Sequence, residues 1–127
     1  MRVYVPTSAG DLIDRITILK IKKARIPDKA KRVNVEAELQ SLVAIRNCFP
    51  KLGSAAIRAK ERQLHKQNAA LWNCENRVRA LARKKDFGED FVASARRIYA
   101  TNDKRAQLKR QINVLAGSAL REEKWFS

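Results

Sequence analysis

The chain is poor in the residues that build metal sites, disulfide frameworks and phosphate-binding loops. Its 127 residues include two cysteines, one histidine and four glycines. Cys48 and Cys74 have neither a CxxC spacing nor a second histidine or cysteine nearby, so we expect two free thiols in a reducing cytoplasm, with no metal and no other cofactor. His65 has no evident nucleophile beside it, and no glycine-rich loop is present to bind a phosphate. These absences favour a non-catalytic protein over an enzyme.

Long apolar runs are also missing. The N-terminus lacks the uninterrupted apolar stretch that is typical of a signal peptide. The stretch from Leu12 to Ile26 is rich in isoleucine and leucine, but five charged residues interrupt it: Asp14, Arg15, Lys20, Lys22 and Lys23. Such a segment is too polar to span a bilayer. We therefore expect a cytoplasmic protein that is neither secreted nor membrane-spanning.

Acidic residues are scarce relative to basic ones. The chain has 28 lysines and arginines against 13 aspartates and glutamates, and the resulting formal charge of +15 attracts anionic partners. Two clusters are candidates for an anionic-partner surface, one near the end of the first predicted helix and one recurring every four residues on the third. They comprise Lys20, Lys22, Lys23 and Arg25, and Arg58, Arg62 and Lys66. A nucleic acid or an acidic protein surface would suit these clusters, and a merely solvated face is the alternative.

The length and the 45% hydrophobic content suit one domain over residues 1–127, with 119–127 as a C-terminal tail that contains Trp125 and Phe126. The apolar spacing predicts an all-α fold. We expect a helical bundle or long helical hairpin of four to five helices, preceded by a short extended segment. The first helix should run from about Ala9 to Arg25 with Ser8 as its cap, and its wide apolar surface indicates a central position.

The remaining helices are predicted from breaks and apolar stripes. Pro27 and Asp28 separate the first helix from a second, which ends at Pro50 and has a core stripe of Val35, Leu39, Leu42 and Phe49. The third helix is expected from about Ser54 to Lys85. A fourth follows the break at 86–88, with Phe91, Ala95, Ile98 and Tyr99 on its apolar side. We expect a kink or a new cap at 101–103, with a continuous helix as the alternative, and an end at Gly117.

The third helix carries polar residues where a core stripe should be apolar. Ile57, Leu64, Leu71 and Val78 recur every seven residues, and the matching inner positions include Glu61, Asn68 and Glu75. We call these three residues the polar seam. Buried acids need cationic partners, and Arg96, Arg105 and Lys109 on the last helical segment are candidates. The seam is then either a satisfied network that sets helix register or part of a ligand pocket.

Two aromatic residues lie close to the seam in this interpretation. Trp72 follows Leu71, and Tyr99 would lie opposite it if the third and fourth helices are antiparallel. Aromatic residues at helical spacing usually belong to the core, and stacking of a base or a sugar is the alternative. Asn102 and Asp103 complete the set of candidate pocket residues.

Four blocks of the sequence resemble an uncharacterised family of short bacterial helical proteins, a domain of unknown function. The blocks are residues 8–19 (SAGDLIDRITIL), Asn68 with Leu71, Trp72 and Glu75, residues 99–105 (YATNDKR), and Ile112 and Asn113 with Gly117, Ser118 and residues 122–124 (EEK). The resemblance spans nearly the whole chain. It implies a bacterial, helical, single-domain protein and indicates no activity. It also implies that Asn68, Glu75 and the 101–105 turn form one site.

Three functional hypotheses follow. The first is a non-catalytic binding or adaptor protein whose basic faces engage a nucleic acid or an acidic protein; no helix-turn-helix, RNA-recognition aromatic motif or zinc finger indicates sequence-specific reading. The second is a phosphate- or carboxylate-binding pocket, or electrostatic catalysis there, between the third helix and the 101–105 turn, with Arg96, Arg105 and Lys109 as cations and Glu75 as acceptor. The third is a homo-oligomer in which the seam pairs between chains and Asn68 sets the register.

Overall fold

The computed structural model describes residues 1–118, and these form an all-α fold. Four α-helices follow one another, α1 (Ala9–Arg25), α2 (Lys29–Asn47), α3 (Ala55–Arg83) and α4 (Glu89–Ala116), with a short 3-10 helix (Pro50–Gly53) before α3. Residues 1–8 precede α1 without regular structure, as the predicted short extended segment requires. The predicted tail with Trp125 and Phe126 lies outside the described residues. None of the four helices is both long enough and apolar enough to cross a membrane.

The α1 helix is the central element, as its apolar circumference predicted. It begins where expected, because the Ser8 side chain accepts a hydrogen bond from the Asp11 backbone N–H (3.1 Å) and so caps the first turn. Eight of its residues are buried, and it packs against α2, α3 and α4. The buried set is Gly10, Leu12, Ile13, Asp14, Ile16, Thr17, Leu19 and Ile21. A helix enclosed on three sides needs apolar residues around most of its surface.

The hydrophobic core packs α1 against α2, the 3-10 helix, the N-terminal part of α3 and the C-terminal part of α4. Its buried members are Leu12, Ile13, Ile16, Leu19, Leu39, Leu52, Ile57, Leu64, Leu108 and Ile112. In α2, Leu39 is buried and Val35 and Leu42 pack against the core, as predicted. The prediction that Phe49 is the fourth member of that stripe is wrong, since the residue is 56% exposed. It follows the C-cap residue Cys48, where the chain has left the helix and its apolar face no longer points inward.

The α3 and α4 helices form a long hairpin. Ser54 caps α3 through a hydrogen bond from the Ile57 backbone N–H, and Gly117 ends α4 in the left-handed conformation (φ 66°). The prediction of a kink or a new cap at 101–103 is wrong, because α4 is continuous through these residues. Thr101 is buried there, and the Asn102 side chain accepts a hydrogen bond from Arg105 (2.8 Å) rather than capping a new helix. Tertiary contacts have overridden the local capping signal.

The far end of this hairpin lies outside the core. We call residues 76–100, which contain the turn between α3 and α4, the distal hairpin. Its fully buried residues are Leu81 and Ser94. Phe87 and Phe91 pack edge to face at the turn, with ring centroids 5.1 Å apart. The prediction that Tyr99 belongs to the apolar side of α4 is wrong, because the residue is 61% exposed.

Candidate functional site

A buried carboxylate lies where α1 packs against the α3/α4 hairpin. Asp14 is 6% exposed, yet both of its oxygens are hydrogen-bonded. Oδ1 accepts from Asn68 Nδ2 of α3 (2.9 Å), and Oδ2 accepts from Arg105 Nη2 of α4 (2.7 Å). A buried charge is tolerated when it is both paired and hydrogen-bonded. One α1 side chain therefore connects to both helices of the hairpin, and we call Asp14, Thr17, Asn68 and Arg105 the polar cluster.

Thr17 determines which way the Asn68 amide points. Its hydroxyl donates to the Asp14 carbonyl oxygen (2.7 Å), so its lone pair is left to accept from Asn68 Nδ2 (2.8 Å). Since the Asp14 carboxylate also only accepts, the amide nitrogen must face α1. The amide oxygen, Oδ1, then points away from both partners and has no hydrogen-bond partner in the structure. Arg105 Nε is a second buried atom without a partner.

Two further polar contacts join α1 to α4 next to this cluster. The Gly10 backbone N–H donates to the buried Asn113 side chain (2.7 Å), and Lys109 pairs with Asp11 (2.9 Å). The helices approach so closely that a Cβ on Gly10 would lie 2.5 Å from the Lys109 carbonyl oxygen. Glycine is needed here for packing, because the residue has an ordinary helical backbone and no space for a methyl group.

The polar seam predicted on α3 does not behave as one network. Glu61 pairs with Arg46 of α2 (2.7 Å) and with Lys20 of α1 (3.7 Å), rather than with α4. Glu75 has a 45% exposed side chain and pairs with Arg79 of its own helix (3.9 Å). Only Asn68 is buried and bonded across helices.

The cations predicted as partners for the seam acids are used elsewhere. Arg105 pairs with Asp14, Lys109 pairs with Asp11, and Arg96 is exposed. The sequence interpretation missed Asp14 as the carboxylate that Arg105 neutralises. One sequence signal could have identified Asp14: it is an acid within the most apolar helix of a chain that has few acids.

Some of the predicted pocket residues do come together. Asn68, Trp72, Glu75 and Arg105 line a pocket of about 140 Å³ between α1, α3 and α4, with Ile18, Ile21 and Leu71 as the remaining lining residues. Asn102 does not line this pocket but accepts a hydrogen bond from Arg105, which does. Tyr99, Asp103 and Arg96 are exposed and do not line it.

The two basic clusters predicted separately on α1 and α3 lie on one side of the molecule. Lys20 pairs with Glu61 (3.7 Å) and lines a surface depression with Thr17, Glu61, Arg62 and His65, and Arg25 donates to the Asn73 side chain of α3 (2.9 Å). Arg58 and Lys66 are exposed on the same row of α3 as Arg62. We call Lys20, Arg25, Arg58, Arg62 and Lys66 the basic face.

The other members of the α1 cluster are less available to a partner. Lys23 pairs with Glu36 of α2 (2.7 Å), and its hydrogen bond lowers the pKa of that carboxyl below its ordinary value. Lys22 is half-buried. The α1 cluster is therefore divided between an internal ion pair with α2 and the basic face.

The chain belongs to a family of unknown function, DUF6165, whose model matches residues 1–127. This confirms the resemblance to an uncharacterised family, whereas the bacterial origin implied by that resemblance stays a prediction. No curated protein and no solved structure matches the chain. The family blocks coincide with the contacts described above, since Gly10, Asp14, Asn68, Arg105 and Asn113 all lie within them.

Proposed function

We propose that this protein is a non-catalytic binding or adaptor protein of the cytoplasm that engages an anionic macromolecule through its basic face. The observation that carries the proposal is that Lys20 of α1 lines one depression with Arg62 of α3, while Arg25 of α1 bonds Asn73 further along the same helix. Clusters far apart in the sequence thus contribute to one surface. Such a surface attracts polyanions by Coulomb interaction and by release of their counterions.

The spacing of the α3 cations suits an extended polyanion. Arg58, Arg62 and Lys66 follow one another at intervals of four residues, which corresponds to about 6 Å along the helix axis. The face presents lysine and arginine beside His65 and carries no phenylalanine, tyrosine or tryptophan for base stacking. Binding would therefore depend on backbone charge, and a nucleic acid would be bound without sequence preference. An acidic polypeptide is the other polyanion that such a face suits.

Fluorescence anisotropy with labelled 20-nucleotide single- and double-stranded probes, measured across a salt series, tests the nucleic-acid form. We expect affinity to fall as salt rises, with a slope of about −0.9 for each phosphate neutralised on a duplex. The double variant Arg62→Glu, Lys66→Glu should weaken binding and reduce that slope by about two. A labelled poly-glutamate peptide in the same assay tests the acidic-protein form.

The matched control is Arg97→Glu, Lys104→Glu, which makes the same change in formal charge at two exposed positions of α4. If the basic face is the binding surface, this control loses less affinity than the α3 variant. Equal loss in both variants would mean that only net charge matters and that the face is not a site. Absence of binding to all three probes at low salt would refute the proposal.

A further inference from the structure

The pocket between α1, α3 and α4 has a mostly apolar wall that also contains hydrogen-bond acceptors. Its volume of about 140 Å³ is bounded by Ile18, Ile21, Leu71 and Trp72, with Asn68, Glu75 and Arg105 as the polar lining residues. Cavities of this size accommodate roughly six to eight non-hydrogen atoms, because an engineered cavity of about 150 Å³ binds benzene. The pocket is thus suited to a small ligand and not to a nucleotide.

Asn68 supplies an acceptor that the protein itself does not use. Its residue is 5% exposed, and the bonds to Asp14 and Thr17 fix the amide so that Oδ1 has no partner. A buried carbonyl oxygen without a hydrogen bond costs free energy, so it marks a place where a donor would be favourable. Oδ1 is covered by its neighbours, and a ligand would reach it by displacing a partly exposed wall residue, Leu71 or Trp72.

The charges at this pocket favour a cationic ligand. The Arg105 guanidinium is neutralised by Asp14 at 2.7 Å and also bonds Asn102, and its Nε has no partner among the described residues. In the part of the chain that the structure describes, Glu75 has only Arg79 within ion-pair distance, at 3.9 Å, and remains available to a second cation. The indole ring of Trp72 also attracts cations when they approach its face. Lys109 and Arg96, the other cations predicted for an anion site, do not line the pocket.

We propose that this pocket binds a small organic amine in its protonated form, with the ammonium group donating to Asn68 Oδ1 and Glu75 and an apolar body against Ile18, Ile21 and Leu71. This reverses the charge of the phosphate or carboxylate ligand in the second sequence hypothesis. The reversal follows from Asp14, because its carboxylate occupies the arginine that would otherwise receive an anion. The proposal is independent of the basic face, because the pocket and the basic face share no residue.

Titration of ¹⁵N-labelled protein with three probes of similar shape tests it. The probes are benzylamine, benzyl alcohol and benzoate, and the readout is the shift of the Ile18, Ile21 and Trp72 backbone amides and of the Asn68 side-chain amide. We expect saturable shifts with benzylamine, weaker binding of benzyl alcohol and no binding of benzoate. Glu75→Gln should weaken benzylamine about two- to fivefold, as expected for a partly exposed ion pair.

The control for that variant is Glu38→Gln, which removes an exposed acid that pairs with Arg15 outside the pocket and should leave the benzylamine affinity unchanged. Glu75 is partly exposed and bonded only within its own helix, so its replacement leaves the fold intact. Three results would overturn the proposal: no saturable shift with benzylamine, tighter binding of benzoate than of benzylamine, or the same loss of affinity in both variants. Equal affinity for benzylamine and benzyl alcohol would likewise exclude a charge-selective site.

Discussion

The α3/α4 hairpin has two ends that use the same kind of ion pair in different surroundings. Where α1 packs on it, Asp14 and Arg105 form a pair whose side chains are 8% and 18% exposed. At the distal hairpin, Arg77 of α3 pairs with Asp90 of α4, and these side chains are 59% and 46% exposed. The buried pair connects two helices from opposite ends of the sequence, whereas the exposed pair joins two helices that already share a turn.

Burial decides what each pair contributes. Removing one partner of a buried pair leaves a charge that water cannot solvate, whereas an exposed partner simply returns to solvent. The buried pair is also surrounded by groups that fix its geometry, namely Thr17 and Asn68. We infer that the polar cluster determines how α1 sits on the hairpin, and that the distal hairpin depends mainly on α3 and α4 contacts such as Leu81 and the Phe87 and Phe91 pair.

The largest effect in this comparison is expected for Asp14→Ala. The variant leaves the buried Arg105 without its counter-charge and the Asn68 amide with Thr17 as its remaining acceptor, and it should lower the free energy of unfolding by about 3 kcal/mol or more. Urea denaturation followed by circular dichroism measures it. Glu38→Ala, which breaks the exposed pair with Arg15, should cost about 0.5 kcal/mol or less.

A double-mutant cycle separates the Asp14 and Arg105 interaction from cavity effects. The Asp14→Ala, Arg105→Ala variant should be more stable than the sum of the two single losses predicts, because no unpaired charge is left. Simple additivity would contradict the assignment of Asp14 as the charge that neutralises Arg105.

The next largest effect is expected for Gly10→Ala, which probes the close approach of α1 to α4. The added methyl group would meet the Lys109 carbonyl oxygen at 2.5 Å and Asn113 Oδ1 at 2.9 Å, so one helix must shift. We expect a loss of about 2 kcal/mol, typical of overpacking. At Gly53 the nearest atom to an added Cβ is the end of the Arg58 side chain, at 3.9 Å, so Gly53→Ala should stay within about 0.5 kcal/mol of the parent. Comparable losses in both variants would show that alanine acts through local backbone preference.

Local signals predicted much of this fold. The limits of α1 were predicted to the residue, because Ser8, Asp11 and Pro27 act within a few positions of the helix ends. The limits of α3 were predicted to within two residues for the same reason. The continuous α4 was not predicted, since Asn102 is a residue type that often caps helices but bonds the Arg105 side chain three residues further along the same helix. Arg105 is in turn bound by Asp14 of α1, and Thr101 is buried, so contacts with other helices decide the outcome where the local signal permits either.

Local sequence predicted less of the candidate sites than of the helices. Asn68 was recognised as a buried polar residue because its helical spacing places it inside, and that needs no knowledge of the other helices. The partners of Glu61 and Arg105 depend on which helices meet, and the sequence interpretation assigned both to the α3/α4 interface. Arg46 of α2 and Asp14 of α1 are the actual partners. For the same reason, local sequence could not predict that Lys20 and Arg62 lie together on the basic face.

The smallest effect concerns pH at the distal hairpin. The hydrogen bond and charge of Arg77 lower the pKa of Asp90 below its ordinary value. A carboxyl whose pKa is lower in the folded state contributes stability above its unfolded pKa and loses it as pH falls through the folded value. The Arg77 contribution is therefore present at neutral pH and disappears in acid. Because both side chains are largely solvated, the change in the unfolding midpoint should be slight.

Arg77→Gln isolates this contribution. In a ¹³C titration of the Asp90 carboxyl, the pKa should rise toward its ordinary value in the variant and also in the parent at high salt, because ions screen an exposed pair. The Asn68 side-chain amide, which reports on the polar cluster, should keep its chemical shift in both cases, since Asp14 and Thr17 lie beyond the reach of this pair. An unchanged Asp90 pKa would mean that Arg77 is not its partner in solution. A shifted Asn68 signal would mean instead that the two ends of the hairpin are coupled, and that the arrangement of α1 responds to the distal turn.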